Sequence, residues 1–201
     1  MATAPVIDRN GSSSRRPRSA GSDNAVVSSV VAPVAWVPVL LVVLGIVALH
    51  AVCIMRYGYF RDELYYISCA KRFDWGFVDQ PPLSVLLLKL VAGPFGYPLW
   101  LVRAPAILCG AGAALIAALV TRDLGGKKLA QTLAATMVAV AGTYLVVTHL
   151  YSMNSLDVLF WALAAWIWAG IGKPQKTWLW LAMGALMGVA MLNKLSGLWL
   201  L

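Results

Sequence analysis

Apolar residues run almost unbroken over about Ala35–Met55, Leu99–Thr121, Leu129–Leu150, Ser155–Ile171 and from Trp178 to Leu201. Each run is near the roughly 20 residues that an α-helix needs to cross the hydrocarbon core of a bilayer. None alternates with the two-residue period of a barrel strand. The pattern predicts five membrane-spanning helices. A shorter apolar piece, Leu83–Phe95, carries Lys89 and closes on Gly93-Pro94, which predicts an interfacial or partly inserted helix. Between the first run and this piece lies a polar loop, residues 56–82, holding four of the chain's eight acids: Asp62, Glu63, Asp74 and Asp79.

Within the loop, Asp62–Phe73 reads as a short helix. Its acids fall in the first turn and Lys71-Arg72 in the last, matching the helix dipole at both ends. Tyr66, Ile67, Ala70 and Phe73 make an apolar stripe at helical spacing, which predicts a helix lying on a membrane surface. The following Phe77-Val-Asp-Gln-Pro-Pro-Leu83 is extended, because proline disfavours helical backbone in the residue before it. Asp79 is thereby carried on a stiff segment entering the next apolar piece.

Composition sharpens the class. The chain is 61% hydrophobic and 12% charged, whereas soluble domains run at about 45–50% apolar and 25% charged. The fold class is all-α integral membrane, a polytopic helical bundle of about five spans with a long first exoplasmic loop. The net charge of +8 comes from basic residues at the ends of apolar runs and in the N-terminal tail, a topological pattern that argues against nucleic acid as a partner. Cys53, Cys69 and Cys109 are far apart and lack metal-site spacing. Residues 1–24 are too polar to bury a core and are expected to be a disordered cytoplasmic tail. Residues 25–201 are expected to form the N-terminal part of a transmembrane domain, since the sequence stops inside an apolar run. The first run exceeds the 7–15 residues of a signal-peptide core, so it is expected to be retained.

Basic residues in short connections orient the spans. The tail has four arginines, Arg122–Lys128 three basic residues, and Lys173–Lys176 two lysines. All three fall on one face, taken as cytoplasmic. Loop 56–82 is then outside, although its Arg56, Arg61, Lys71 and Arg72 weigh mildly against this.

Ionisable groups inside spans are costly and mark function. On this topology Arg103 lies near the outer end of the second span, His149 at the end of the third, and Asn154 and Asp157 at the outer start of the fourth. Lys194 lies about 16 residues into the fifth, roughly 24 Å at 1.5 Å per residue. Each has a bland reading: snorkelling for Arg103 and Lys194, helix-start electrostatics for Asp62-Glu63, capping for Asn154 or Asp157. Taken together, Asp62, Glu63, Asp79, Arg103, His149, Asp157 and Lys194 are expected to meet at one side of the membrane. Acids beside fixed cations suit deprotonation of a hydroxyl next to a phosphate leaving group.

Arg-Asp-Glu-Leu-Tyr-Tyr (61–66) followed by Asp-Trp-Gly-Phe-Val-Asp-Gln-Pro-Pro-Leu (74–83) resembles the first exoplasmic loop of the protein O-mannosyltransferase-like family. These are C-type membrane glycosyltransferases, alongside the aminoarabinose transferases that modify lipid A. The resemblance continues through Trp100-Leu-Val-Arg-Ala-Pro105, Asn154-Ser-Leu-Asp157 and Leu192-Asn-Lys194. It implies transfer of a sugar from a polyprenyl-phosphate donor to a protein or glycolipid hydroxyl at the outer face of the cell membrane. It also implies Asp62 and Glu63 as catalytic residues. Asp79, Gln80, Arg103, Asp157 and Lys194 become the implied donor-binding set, with Asp62 and Asp79 as candidate ligands of a divalent cation. Some relatives have lysine where this chain has Gln80, which leaves Arg103 and Lys194 as the candidate phosphate partners. The rival reading is a transporter or flippase of a lipid-linked sugar, which would bind the headgroup without making a bond.

Overall fold

The computed structural model describes residues 32–171 and 177–200. The expected tail and the lysine pair at 173–176 lie outside them. Among the described residues the structure is helical: α1 (Trp36–Cys53), α2 (Arg61–Lys71), α3 (Leu83–Ala92), α4 (Leu99–Asp123), α5 (Lys128–Val140), α6 (Gly142–His149), α7 (Met153–Ile171) and α8 (Trp178–Met191). Single 3-10 stretches follow α3 at Gly93–Phe95 and α8 at Leu195–Leu200.

Three helices, α1, α4 and α7, are long and apolar enough to cross a membrane, and α5 with α6 makes a fourth if the bent pair is one span. The expected five spans are thus matched in part. At 25 residues, α4 is about 37 Å long. It is the central post, contacting α1, α3, α5, α6 and α7.

Two expected spans are interrupted. The third run breaks at Ala141, where α5 and α6 meet at 61° and the backbone turns extended. The bend lays α6 on α4 at Gly110, where an added Cβ would sit 2.7–2.9 Å from three atoms of Thr148. The fifth run stops at Met191, and Leu192-Asn193-Lys194 turns toward the start of α7. Apolar content does not reveal either break, because it records side chains and not backbone direction.

The stripe on α2 also has a different partner from the one expected. Tyr66, Ile67 and Ala70 are buried in one core cluster with Val85 and Leu88 of α3, Val102 and Ala106 of α4, and Tyr151. The face that reads as membrane-seeking is covered by protein. Burying one large apolar side chain contributes about 1.5–3 kcal/mol, so this stripe fastens the loop helix to the bundle.

The two ends of the bundle are chemically distinct. At one end Gln131 of α5 accepts the Ala35 N–H at 2.8 Å and donates to the carbonyls of Pro33 and Gly126. At the other end α2, the 150–153 turn and the 192–194 turn come together.

Candidate functional site

The site is built on the first turn of α2. Glu63 is its third residue, and its Oε2 accepts the N–H of Phe60 at 2.8 Å. This is the reciprocal half of a capping box. The same carboxylate receives two parallel hydrogen bonds from Arg103 of α4, Nε to Oε1 at 2.8 Å and Nη2 to Oε2 at 2.9 Å. Its fourth bond comes from the Tyr151 N–H at 3.2 Å. Both side chains of the ion pair are 0% exposed.

Arg103 spends its remaining N–H groups on the carbonyls of Ile54, Tyr57 and Gly58. All five guanidinium donors are therefore held by protein. Arg103 is expected as a phosphate partner, and the geometry leaves it no N–H for one. Glu63, expected as catalytic, has no exposed oxygen. Together they clamp the α1–α2 connection onto α4.

Asp62 sits one residue away and faces outward. Its side chain is 47% exposed, and its single ion pair among the described residues is to Arg61, itself 89% exposed, at 3.1 Å. Tyr65, one helical turn on, donates its hydroxyl to Asp79 Oδ1 at 2.7 Å. This bond raises the Tyr65 phenol above the ordinary tyrosine value, so it remains a donor. Asp79 is exposed, whereas Gln80 turns inward and is buried, its amide 3.9 Å from Cys69 Sγ. The extended backbone expected over Phe77–Leu83 is instead bent at Val78–Gln80, with Val78 and Asp79 both exposed before the chain turns Gln80 inward. Gln80 is expected to bind donor, yet it lies beneath the surface that Asp79 presents.

Asp157 and Lys194 do meet. Lys194 Nζ is 3.6 Å from Asp157 Oδ2 and donates to Asn154 Oδ1 at 2.8 Å. Ser196 donates to Asp157 Oδ1 at 2.6 Å. The lysine side chain is 34% exposed. This group is tied to α2 through the 150–153 turn: Asn193 Nδ2 donates to the Met153 carbonyl at 2.8 Å, and the Met153 N–H donates to the Tyr66 hydroxyl at 3.0 Å. The Leu83 N–H closes the circuit on the Leu192 carbonyl at 2.9 Å.

Tyr65, Tyr151, Asn193 and His50 are the residues the sequence reading leaves out. Tyr151 is fully buried against Tyr66 with ring centroids 5.7 Å apart. Burial raises its phenol above the ordinary value, so it donates steadily to the Ser84 carbonyl. His50 stacks on His149 with Nδ1 atoms 3.0 Å apart, beside a cavity of about 440 Å³ between α1 and α6. Tyr65 could have been found from its i+3 relation to Asp62, and Asn193 from its place beside Lys194. Tyr151 and His50 give no local signal.

Among the described residues no three His, Cys, Asp or Glu side chains gather closely enough to hold a metal ion. Asp62 and Asp79, the candidate cation ligands, are two carboxylates without a third. The cysteines are free thiols.

Neither a curated protein nor a solved structure matches the chain. Residues 79–201, well over half of the chain, match the family described as dolichyl-phosphate-mannose-protein mannosyltransferase. The match begins at Asp79, so it includes the Asp157–Lys194 group and leaves Asp62 and Glu63 just upstream. With helices fit for a membrane and this match over most of its bundle, the chain belongs to the dolichyl-phosphate-mannose-protein mannosyltransferase family of membrane glycosyltransferases.

Proposed function

We propose that the protein transfers a hexose or mannose-like sugar from a polyprenyl-phosphate donor to a hydroxyl of a protein or glycolipid acceptor, at the extracytoplasmic face of the cell membrane. The observation that carries this reading is the division of labour within one helical turn. Glu63 is wholly enclosed by its clamp, while adjacent Asp62 is half-exposed with its carboxylate against one exposed arginine. A carboxylate on a rigid, buried anchor is placed to act on an incoming group.

In the proposed reaction Asp62 accepts the proton of the acceptor hydroxyl. The acceptor oxygen bonds to the anomeric carbon as the bond from that carbon to the phosphate oxygen breaks. The polyprenyl phosphate leaves with the electron pair, and its charge is met by Lys194, which Asn154 and Asp157 hold at the same end of the bundle. Asp79, steadied by Tyr65, faces the donor sugar or its phosphate. Glu63, Arg103 and Gln80 act through position. A divalent cation between Asp62 and Asp79 would need further oxygens from the donor phosphate and from water.

The test is Asp62→Asn in the full chain, supplied with labelled polyprenyl-phosphate sugar. General-base catalysis contributes about 10²–10⁴-fold, and a loss of that size is expected in a protein still folded and inserted. An unchanged transfer rate removes Asp62 from the role. Lipid that crosses between leaflets with its sugar still attached establishes the transporter reading instead.

A further inference from the structure

Loop 56–82 carries mixed charge, and the C-terminal end of its helix is mainly basic. Asp62 lies in the first turn of α2, and Asp79 accepts the hydroxyl of Tyr65 one turn further on. Lys71 and Arg72 lie at its other end, nine residues or roughly 13 Å away. There Lys71 Nζ sits 5.9 Å from the Tyr97 ring centroid, and Lys89 of α3 sits 5.2 Å from that of Phe73. All three basic residues are exposed, and none joins an ion pair among the described residues. The one acid beside them in sequence, Asp74, is exposed and accepts the Trp75 N–H.

Around these cations stands bare apolar surface. Trp75 is 75% and Phe95 71% exposed, with Leu90 and Val78 also outward. Phe73 packs edge-on against both Trp75 and Phe77, so Trp75 is held out on an aromatic base. The cavities of about 440, 560 and 500 Å³ include none of these residues in their linings.

We infer that the surface formed by Lys71, Arg72, Lys89, Trp75 and Phe95 docks on the anionic phospholipid headgroups of the leaflet facing the site. Charge complementarity selects that occupant. Unpaired cations attract anionic headgroups at short range, tryptophan settles at headgroup depth, and the lysine stems cover apolar surface while their ammonium groups stay at the polar boundary. A soluble acidic partner would leave Trp75, Leu90 and Phe95 without an apolar counterpart. The contact holds the C-terminal end of α2 at the headgroup level. This inference is independent of the transfer chemistry.

The experiment reconstitutes the full chain in lipid nanodiscs brominated near the headgroup, either wholly neutral or containing phosphatidylglycerol. The Trp75 signal is the difference between wild type and Trp75→Phe. Anionic brominated lipid is expected to quench Trp75 about twofold more than neutral brominated lipid, with each cation worth about fivefold in headgroup affinity and the excess shrinking in high salt. Lys71→Gln, Arg72→Gln and Lys89→Gln together should abolish the excess. Arg72→Gln alone, which removes no packed group, should reduce it if the triple variant does not fold. Equal quenching in both lipids, or an excess that survives charge removal, overturns the inference. So does an equal excess produced in neutral lipid by one equivalent of an isoprenoid phosphate, because that outcome assigns the cations to the carrier.

Discussion

Arg103 and Glu63, 40 positions apart in sequence, form a bidentate ion pair in which both side chains are wholly buried. Every guanidinium N–H has a partner, and the carboxylate accepts four hydrogen bonds. Removing one member of such a pair costs about 3–5 kcal/mol, because the other is left charged and buried. Arg103→Met should therefore lower thermal stability in detergent by that amount. The double variant Glu63→Leu/Arg103→Met should lose less than the sum of the two single variants. Strict additivity in unfolding measurements would show that the pair is not the clamp.

Tyr65→Phe removes the donor to Asp79 and nothing buried. Stability should change little, while the KM for donor rises more than kcat falls. The hydrogen bond to Asp79 raises the phenol's pKa. Its proton is therefore present below the ordinary tyrosine value and is lost only as pH climbs through the higher folded value. The difference between wild type and Tyr65→Phe should accordingly stay flat from about pH 7 to pH 10, near the ordinary tyrosine pKa. A difference that collapses within that window would separate Tyr65 from Asp79.

Lys194 is one-third exposed and held by Asn154 and Asp157. Exposed pairs of this kind contribute about 0–1 kcal/mol, so Lys194→Met should leave unfolding nearly unchanged. Transfer should fall at least tenfold, an energy of about 1.4 kcal/mol at the leaving phosphate, and Lys194→Arg should restore part of it. Normal kcat/KM in Lys194→Met would exclude a phosphate contact there.

Gly110→Ala tests the bent span. Its new Cβ would meet the Oγ1, Cβ and Cγ2 atoms of Thr148 at 2.7–2.9 Å. Overpacking of this kind costs about 1–3 kcal/mol. Thr148→Gly removes all three atoms, so Gly110→Ala/Thr148→Gly should be more stable than the sum of the single losses predicts. The readout is the midpoint of thermal unfolding.

Residue order alone shows that the chain is helical and built for a membrane, because apolar run length is set by bilayer thickness and needs no long-range contact. It also located α1, α4 and α7 to within two residues at each end, where turns and polar flanks stop the helix. It placed Asp157 and Lys194 at one level, since 1.5 Å per residue carries along a helix whatever surrounds it. The tertiary structure decided what each charge does. Asp62 and Glu63 are equivalent acids in sequence. One is enclosed because its helical phase faces α4 and the Arg103 side chain, and the other is left open because its phase faces away. The same phase turns the stripe of Tyr66, Ile67 and Ala70 onto α3 and α4. Likewise, backbone breaks at Ala141 and after Met191 answer to Thr148 on Gly110 and Asn193 on Met153. Those contacts join residues 38 and 40 positions apart, which no local pattern records.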